Sequence, residues 1–412
     1  MSLLCTAPWT GLFVWMEGTV SYCGRLRASG DLREQTFEEF WNSEPVQRAR
    51  SMFLRDAQIE SGCPATCCWL TARHPESFVK YYDVKAPPKD AAQRAEVEAA
   101  RLIPPPRSYA ENVDRIAREI ESGQTNSSAF PTSMSISITN YCSLRCPMCC
   151  FGIIPPEQKK PTAKLIDPIV LDRLKVVYPY LERLDLVGGK MFDIPFDENP
   201  LVRILADIAA AKPANIGVTI TTNGQHLSKR WAEYLVQFPF IDIIAFSVDS
   251  FDPQVYARTR VMGSLDRVRS SIRNVQDAKA ARGLSEPIIR LNTILGVHTC
   301  EGVPLFVENA RALGVREIEY QKLVLMGDPA FFPANNLFQR QHVDKLVRLR
   351  RDLVAADFRS NRDEFIGMID AYLRHLGIDP VPAPDTPVRL AGPRAWFAAA
   401  QAALGKVAAR TA

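Results

Sequence analysis

The chain has 412 residues, enough for two or three domains. Its 47% apolar and 23% charged residues are ordinary globular composition, which excludes a largely disordered, collagenous or coiled-coil protein. Lys plus Arg total 50 against 46 Asp plus Glu, and a net +4 over this length leaves no electrostatic footprint for nucleic acid or an anionic membrane. No apolar run approaches the ~18 residues of a membrane span. The start lacks a basic region and a small-residue cleavage site, so the expected compartment is the reducing cytoplasm.

In chain order, 1–70 reads as a first unit. Aromatic and β-branched residues flank Glu17-Gly18, the pattern of a hairpin over 10–23. Thr36 starts a helix with Glu38 and Glu39 in its first turn and Phe37, Phe40 and Trp41 as its apolar face. A second short helix is expected over 45–54. Residues 71–133 form a connector with helices over 89–100 and 109–120, proline pairs and triplets, and a polar flexible joint at 121–128.

From residue 134 short β-branched runs alternate with helical patterns. The strands are expected at 135–139, 184–187, 216–221, 242–248, 288–294 and 317–321. The helices between them lie at 168–181, 200–211, 227–236, 264–282 and 302–313. Repeated βα of this kind makes an α/β fold, a mostly parallel sheet with helices outside, either a partial barrel or an open sheet. The unit spans 134–335. Residues 336–412 form a helical extension, with a helix over 338–355, a proline-rich strap over 379–387 and an alanine-rich helix over 396–409.

Nine of the ten cysteines fall in two patches with metal-ligand spacing. Cys142, Cys146 and Cys149 are spaced C-x3-C-x2-C, directly after the first strand of the βα region. Three thiolates hold three irons of a cubane and leave the fourth open to a ligand that chelates through an amine and a carboxylate. A strand's carboxyl end suits this, because βα sheets carry their chemistry on that rim. Cys5, Cys23, Cys63 and Cys67 form the second patch, with Cys68 as an alternative to Cys67. Four thiolates fully ligate a cubane, and on ligand count alone zinc fits as well.

The first patch resembles the motif of the radical S-adenosylmethionine (SAM) superfamily, with Met148 at a position usually aromatic. The resemblance covers roughly 134–335. It implies a partial (β/α)6 TIM-like barrel, a [4Fe-4S] cluster, and reductive cleavage of SAM to a 5′-deoxyadenosyl radical that abstracts hydrogen from substrate. It also implies cofactor contacts at strand ends: Gly188 and Gly189, Thr222 and Asn223, Ser247 and Asp249, Arg260, and Asn292. The adenine would lie near Tyr320 and Gln321. Family members usually read Gly-Gly-Glu where this chain has Gly188-Gly189-Lys190; Asp193 or backbone carbonyls are the expected substitutes. The N-terminal unit resembles the SPASM, or reduced twitch, domain through its cysteines, the Phe37-x2-Phe40-Trp41 helix and Arg50. This implies one auxiliary [4Fe-4S] cluster, here preceding the radical domain rather than following it.

Cys300 follows the fifth strand of the βα region and is the candidate catalytic thiol, returning hydrogen to a substrate radical; His298 stands beside it. The expected function is oxidation or epimerisation of a small biosynthetic or sugar-type intermediate. The alternatives are modification of a ribosomally made peptide, which enzymes with this auxiliary domain commonly perform, and a non-catalytic iron–sulfur module. The expected partners are the small-molecule or peptide substrate and an external one-electron reductant such as flavodoxin or ferredoxin.

Overall fold

The computed structural model describes residues 6–23, 29–54, 104–150, 152, 165–189, 191–324, 328 and 330–380. Cys5, Cys63, Cys67, Cys68, Lys190, the expected helices over 89–100 and 396–409, and the strap beyond residue 380 lie outside the described residues.

Six parallel strands form the body of the sheet: β4 (Ser133–Ser137), β5 (Arg183–Val187), β6 (Gly217–Thr222), β7 (Ile241–Ser247), β8 (Ile288–Leu295) and β9 (Glu317–Lys322). They lie side by side in chain order, each paired in parallel with the next. Consecutive parallel strands require crossover helices, and the chain supplies them with clear start signals. Asp167, Asn199 and Asp252 each cap a helix that has proline in its first turn, and Ser228 and Ser264 cap two more. The helix expected over 168–181 stops at Leu174, and Tyr178–Tyr180 is a separate 3-10 turn, since Pro179 has no N–H to continue the ladder. The helix Pro253–Thr259, opened by Asp252-Pro253, was not among the expected elements.

The N-terminal unit joins the same sheet. β1 (Gly11–Val14) and β2 (Thr19–Ser21) form the expected hairpin, with Gly18 at φ +90° in its turn, and β3 (Gly30–Asp31) pairs on β2. β1 then pairs in parallel with β4, Gly11 opposite Ser133 through Val14 opposite Ile136. The result is a nine-stranded mixed sheet in the order β3-β2-β1-β4-β5-β6-β7-β8-β9. One core is shared: Trp9, Val14, Phe37, Phe40 and Trp41 are buried in the same cluster as Met134, Ile136 and Leu184. The Thr36–Glu39 capping box starts the helix Phe37–Trp41 that presents these rings.

The other edge is also covered. The side chain of Asn361 receives the Tyr320 N–H at 2.8 Å and donates to its carbonyl at 2.9 Å, so the outer side of β9 offers no open ladder there. Asn361 precedes the helix Arg362–His375, which packs on Val343–Ala355 through Phe365, Ile369 and Leu373 against Leu346, Leu349 and Leu353. The first of these helices starts five residues later than expected from sequence, and the second was not expected.

The polar segment 121–128 is no flexible joint. Asn126 and Ser127 are buried. The Glu119 carboxylate, itself buried, accepts from Ser127 Oγ at 2.6 Å and from the Ser128 N–H at 2.8 Å. Buried Arg50 locks the segment to the N-terminal unit: Nε donates to Pro8 O at 3.0 Å, Nη1 to Thr125 O at 2.9 Å, and the guanidinium sits 4.7 Å from the Trp41 ring centroid. Composition suggested a linker; side-chain hydrogen bonding made it a seam.

Replacing Arg50 with Met strands the carbonyls of Pro8 and Thr125 in the core. The Arg50→Met variant is expected to lose about 2–4 kcal/mol of stability, read as a lower urea midpoint at unchanged slope. An unchanged midpoint would show that the seam does not stabilise the fold.

Candidate functional site

The loop after β4 carries Cys142, Cys146 and Cys149 to the carboxyl rim of the sheet. Cys146 is buried with Leu144, Met148 and Leu323, and Cys142 and Cys149 pack against that same small cluster together with Ile294, Phe331 and Phe332. Backbone bonds set the loop's shape. The Cys149 N–H donates to Cys146 O at 3.1 Å, the Arg145 N–H to Val261 O at 3.0 Å, and the Asp328 N–H to Pro147 O at 2.8 Å. Burial pushes the Cys146 thiol up to about 12, with Arg260 pulling the other way and both other thiols of the motif adding to the rise. The three thiols are thus near enough to feel one another, on one wall and in an apolar surround.

This donor set fits a cluster that takes one thiolate per iron. Among the described residues, no group of three His, Cys, Asp or Glu side chains converges to hold a single metal ion.

Gly188 and Gly189 follow β5, and only the second is sterically tied to the cysteine loop. A Cβ on Gly189 would lie 2.5 Å from Cys142 Cβ and closer still to Tyr141 O, whereas one on Gly188 would meet its nearest neighbour, Thr139 Cγ2, at 3.3 Å. Gly189 therefore lets two rim loops touch. Asn223, after β6, completes the contact: Nδ2 donates to Gly189 O at 2.9 Å and lies 3.8 Å from Cys142 Sγ, while Oδ1 accepts the Gln225 N–H at 3.1 Å. Thr222 is buried and accepts the Gly224 N–H through Oγ1, which shapes the turn.

Asp249, just after β7, and Arg260, at the end of the helix Pro253–Thr259, form a bidentate pair, Nε to Oδ2 at 2.7 Å and Nη2 to Oδ1 at 3.0 Å. Asp249 Oδ1 also accepts the Ile294 N–H at 3.1 Å. Two of the three guanidinium nitrogens of Arg260 are thereby committed within the protein, leaving Nη1 outside the pair. Ser247 and Asn292 are register partners across β7 and β8, and Asn292 Oδ1 accepts from Arg290 Nε at 3.0 Å. Asp193, an expected substitute at the Gly-Gly-Lys position, is paired with His226 at 2.8 Å. His226 was not singled out from sequence, and its place two residues after Gly224 in the turn following β6 is the signal that pointed there. Tyr320 is buried, and Gln321 donates to Glu319.

Cys300 follows β8, as read from sequence. It opens a 3-10 turn, is 1% exposed within the main core, and its thiol donates to Val297 O at 3.6 Å. Burial pushes the thiol up to about 11. His298, by contrast, lines a narrow cleft with Met148, Ile294, Leu323 and Phe331, beside the cysteine loop. Of the second patch only Cys23 is described: it is half-buried after β2, with its carbonyl receiving Ser21 Oγ at 2.6 Å.

A family profile described as the radical SAM superfamily matches residues 136–291, and one described as an iron–sulfur cluster-binding domain, SPASM, matches 5–69. The chain carries a radical SAM superfamily domain. Its family domain is a catalytic one, and the SPASM domain adjoins it on the N-terminal side. Two curated relatives are GTP 3′,8-cyclases. That of Peptoclostridium acidaminophilum is 27% identical over 167 residues, 39% of this chain and 46% of its own length. That of Paenarthrobacter nicotinovorans is 26% identical over 235 residues, 55% of this chain and 59% of its own. The chain thus spans about half the length of the curated relatives it matches. Among solved structures, Streptococcus suis SuiB bound to S-adenosylmethionine aligns at 17% identity and TM-score 0.39, over 56% of this chain and 51% of that one. Native anSMEcpe with bound AdoMet and the Cp18Cys peptide aligns at 13% identity and TM-score 0.43, over 56% and 63%.

Two predictions follow from the packing. Gly189→Ala is expected to hold its iron roughly tenfold or more weakly against a chelator, because the added methyl meets backbone, while Gly188→Ala stays near wild type; equal retention in both would contradict the contact. Cys300 is expected to resist alkylation by iodoacetamide at neutral pH in the folded protein, and Cys300→Ala to keep both SAM cleavage and product formation. Loss of product with intact cleavage would restore the role in hydrogen return.

Proposed function

We propose that this radical SAM protein cleaves SAM reductively and uses the resulting radical to abstract hydrogen from a ribosomally made peptide. The observation that carries the first half is the set of three thiols held by one loop at the carboxyl rim, the first of them pressed against Gly189. A [4Fe-4S] cluster bound by Cys142, Cys146 and Cys149 supplies the electron for SAM cleavage.

The chain's own residues do the rest. Met148, Leu323, Ile294 and Phe331 form an apolar wall that keeps water from the reacting centre. Asp249 holds the Arg260 guanidinium in a fixed plane through two hydrogen bonds, which suits it to a carboxylate of the cofactor. Ser247 at the end of β7 and its register partner Asn292 within β8 offer neighbouring polar groups. Cys23, with Cys5, Cys63 and Cys67, is assigned to one auxiliary [4Fe-4S] cluster. An external one-electron reductant, a flavodoxin or ferredoxin, supplies the electrons.

The peptide reading now stands ahead of the small-intermediate reading preferred from sequence. The SPASM match over 5–69 supports it, since the domain commonly accompanies peptide modification. Cys300, which favoured epimerisation of a small substrate from sequence, is 1% exposed, which supports a packing role for it. The non-catalytic reading leaned only on Lys190, which lies outside the described residues.

Anaerobic incubation of reconstituted protein with SAM and dithionite is expected to release 5′-deoxyadenosine, and Cys142→Ala, Cys146→Ala and Cys149→Ala each to abolish it. Deuterium from a labelled candidate peptide is expected in that 5′-deoxyadenosine. Cleavage without transfer from any peptide, but with transfer from a small metabolite, would reverse the choice of substrate class.

A further inference from the structure

The contact between Asn223 and Cys142 reaches beyond the holding of a loop. Asn223 closes the turn after β6, and its amide is used at both ends. Oδ1 takes the Gln225 N–H at 3.1 Å, which fixes the side chain against its own backbone. Nδ2 is thereby aimed across the rim, donating to Gly189 O at 2.9 Å and to Cys142 Sγ at 3.8 Å. Sulfur is large and its acceptor distances are long, so this separation is a hydrogen bond when the sulfur carries charge. The turn is held on its other side by Thr222 Oγ1 and by Gly224 at φ +70°. Three strand ends are thus tied through one primary amide: β4 through Cys142, β5 through Gly189 and β6 through Asn223.

We propose that Asn223 is a positioning residue that donates a hydrogen bond to the Cys142 thiolate and so raises the reduction potential of the cluster bound there. The assignment rests on the proposal that Cys142, Cys146 and Cys149 hold an iron–sulfur cluster. An N–H dipole pointed at a ligand sulfur stabilises the extra negative charge of the reduced cluster more than it stabilises the oxidised one. Hydrogen bonds to cluster sulfurs are among the levers that set such potentials. The surround sharpens the effect. Cys142 packs against Leu144, Cys146, Met148 and Leu323, an apolar setting where water competes weakly and one fixed donor counts for more. Gly189 belongs to the same device, since any side chain there would push Gly189 O and Cys142 apart and withdraw both acceptors from Nδ2.

The test is a redox titration of reconstituted protein without SAM, followed by electron paramagnetic resonance. The relevant signal is the one that changes when SAM is then added, which separates it from any auxiliary cluster. Two variants are compared. Asn223→Asp keeps size and the acceptor for the Gln225 N–H, so the turn survives, but it puts a carboxylate oxygen where the donor was. Asn223→Ala removes both. The reduced-to-oxidised ratio at a fixed potential is expected to fall about tenfold in Asn223→Asp, a shift of about 59 mV for one electron, and by less in Asn223→Ala. A potential unchanged in Asn223→Asp, with the cluster loaded and SAM-responsive, overturns the role. A wild-type protein with no SAM-responsive signal overturns the cluster assignment itself. If Asn223→Ala loads poorly, Asn223→Asp alone decides.

Discussion

The close approach of Cys142 to Gly189 is the constraint on which the rim is built. Two loops, one after β4 and one after β5, meet with no room for a single added carbon. This fixes where the first thiol of the motif stands relative to the sheet. Asn223 then bonds to both partners, and the Arg145 N–H to Val261 O bond ties the same loop to the segment after Arg260. The cysteine loop is therefore held by backbone and amide contacts on both flanks, and the parallel order of β4 to β9 puts every one of these contacts at the carboxyl end.

The N-terminal unit adds three strands to the edge of that sheet. Pairing of β1 with β4 places the unit beside the strand that delivers the cysteine loop, and the shared core of Trp9, Val14, Met134 and Ile136 makes the junction a hydrophobic one. Arg50 and Glu119 then draw residues 122–128 into the seam. A unit that precedes the barrel in sequence is thus docked on its own barrel in space. Division of the chain at 70 and 133 remains a proposal about function and ancestry, since the sheet itself runs across it.

The alternation of β-branched runs and helical patterns was legible because both faces of the strands are covered and the helices after Asp167, Asn199, Ser228, Asp252 and Ser264 each start on a side-chain cap. The six strands of the barrel lie where the sequence puts them, to within two residues. The β1–β4 pairing was not legible, because edge pairing over a long separation leaves no local mark. The segment 121–128 read as a joint from its polar composition, but its partners, Arg50 and Asn42, lie far away in sequence. The cysteine motif was legible from spacing alone. Asn223 was singled out from its place after a strand, and its bonds to the protein's own thiol and carbonyl are contacts that only coordinates show. Cys300 was singled out from its place after a strand, and its burial in the 3-10 turn it opens left no mark in the sequence.

The most direct test of the account is Mössbauer spectroscopy of protein reconstituted with isotopically enriched iron, recorded before and after SAM is added. The account predicts cubane clusters, with one iron site of the cluster at Cys142, Cys146 and Cys149 changing its spectrum when SAM binds. Zinc in place of iron at these cysteines, or a cubane in which no single iron responds to SAM, would contradict it.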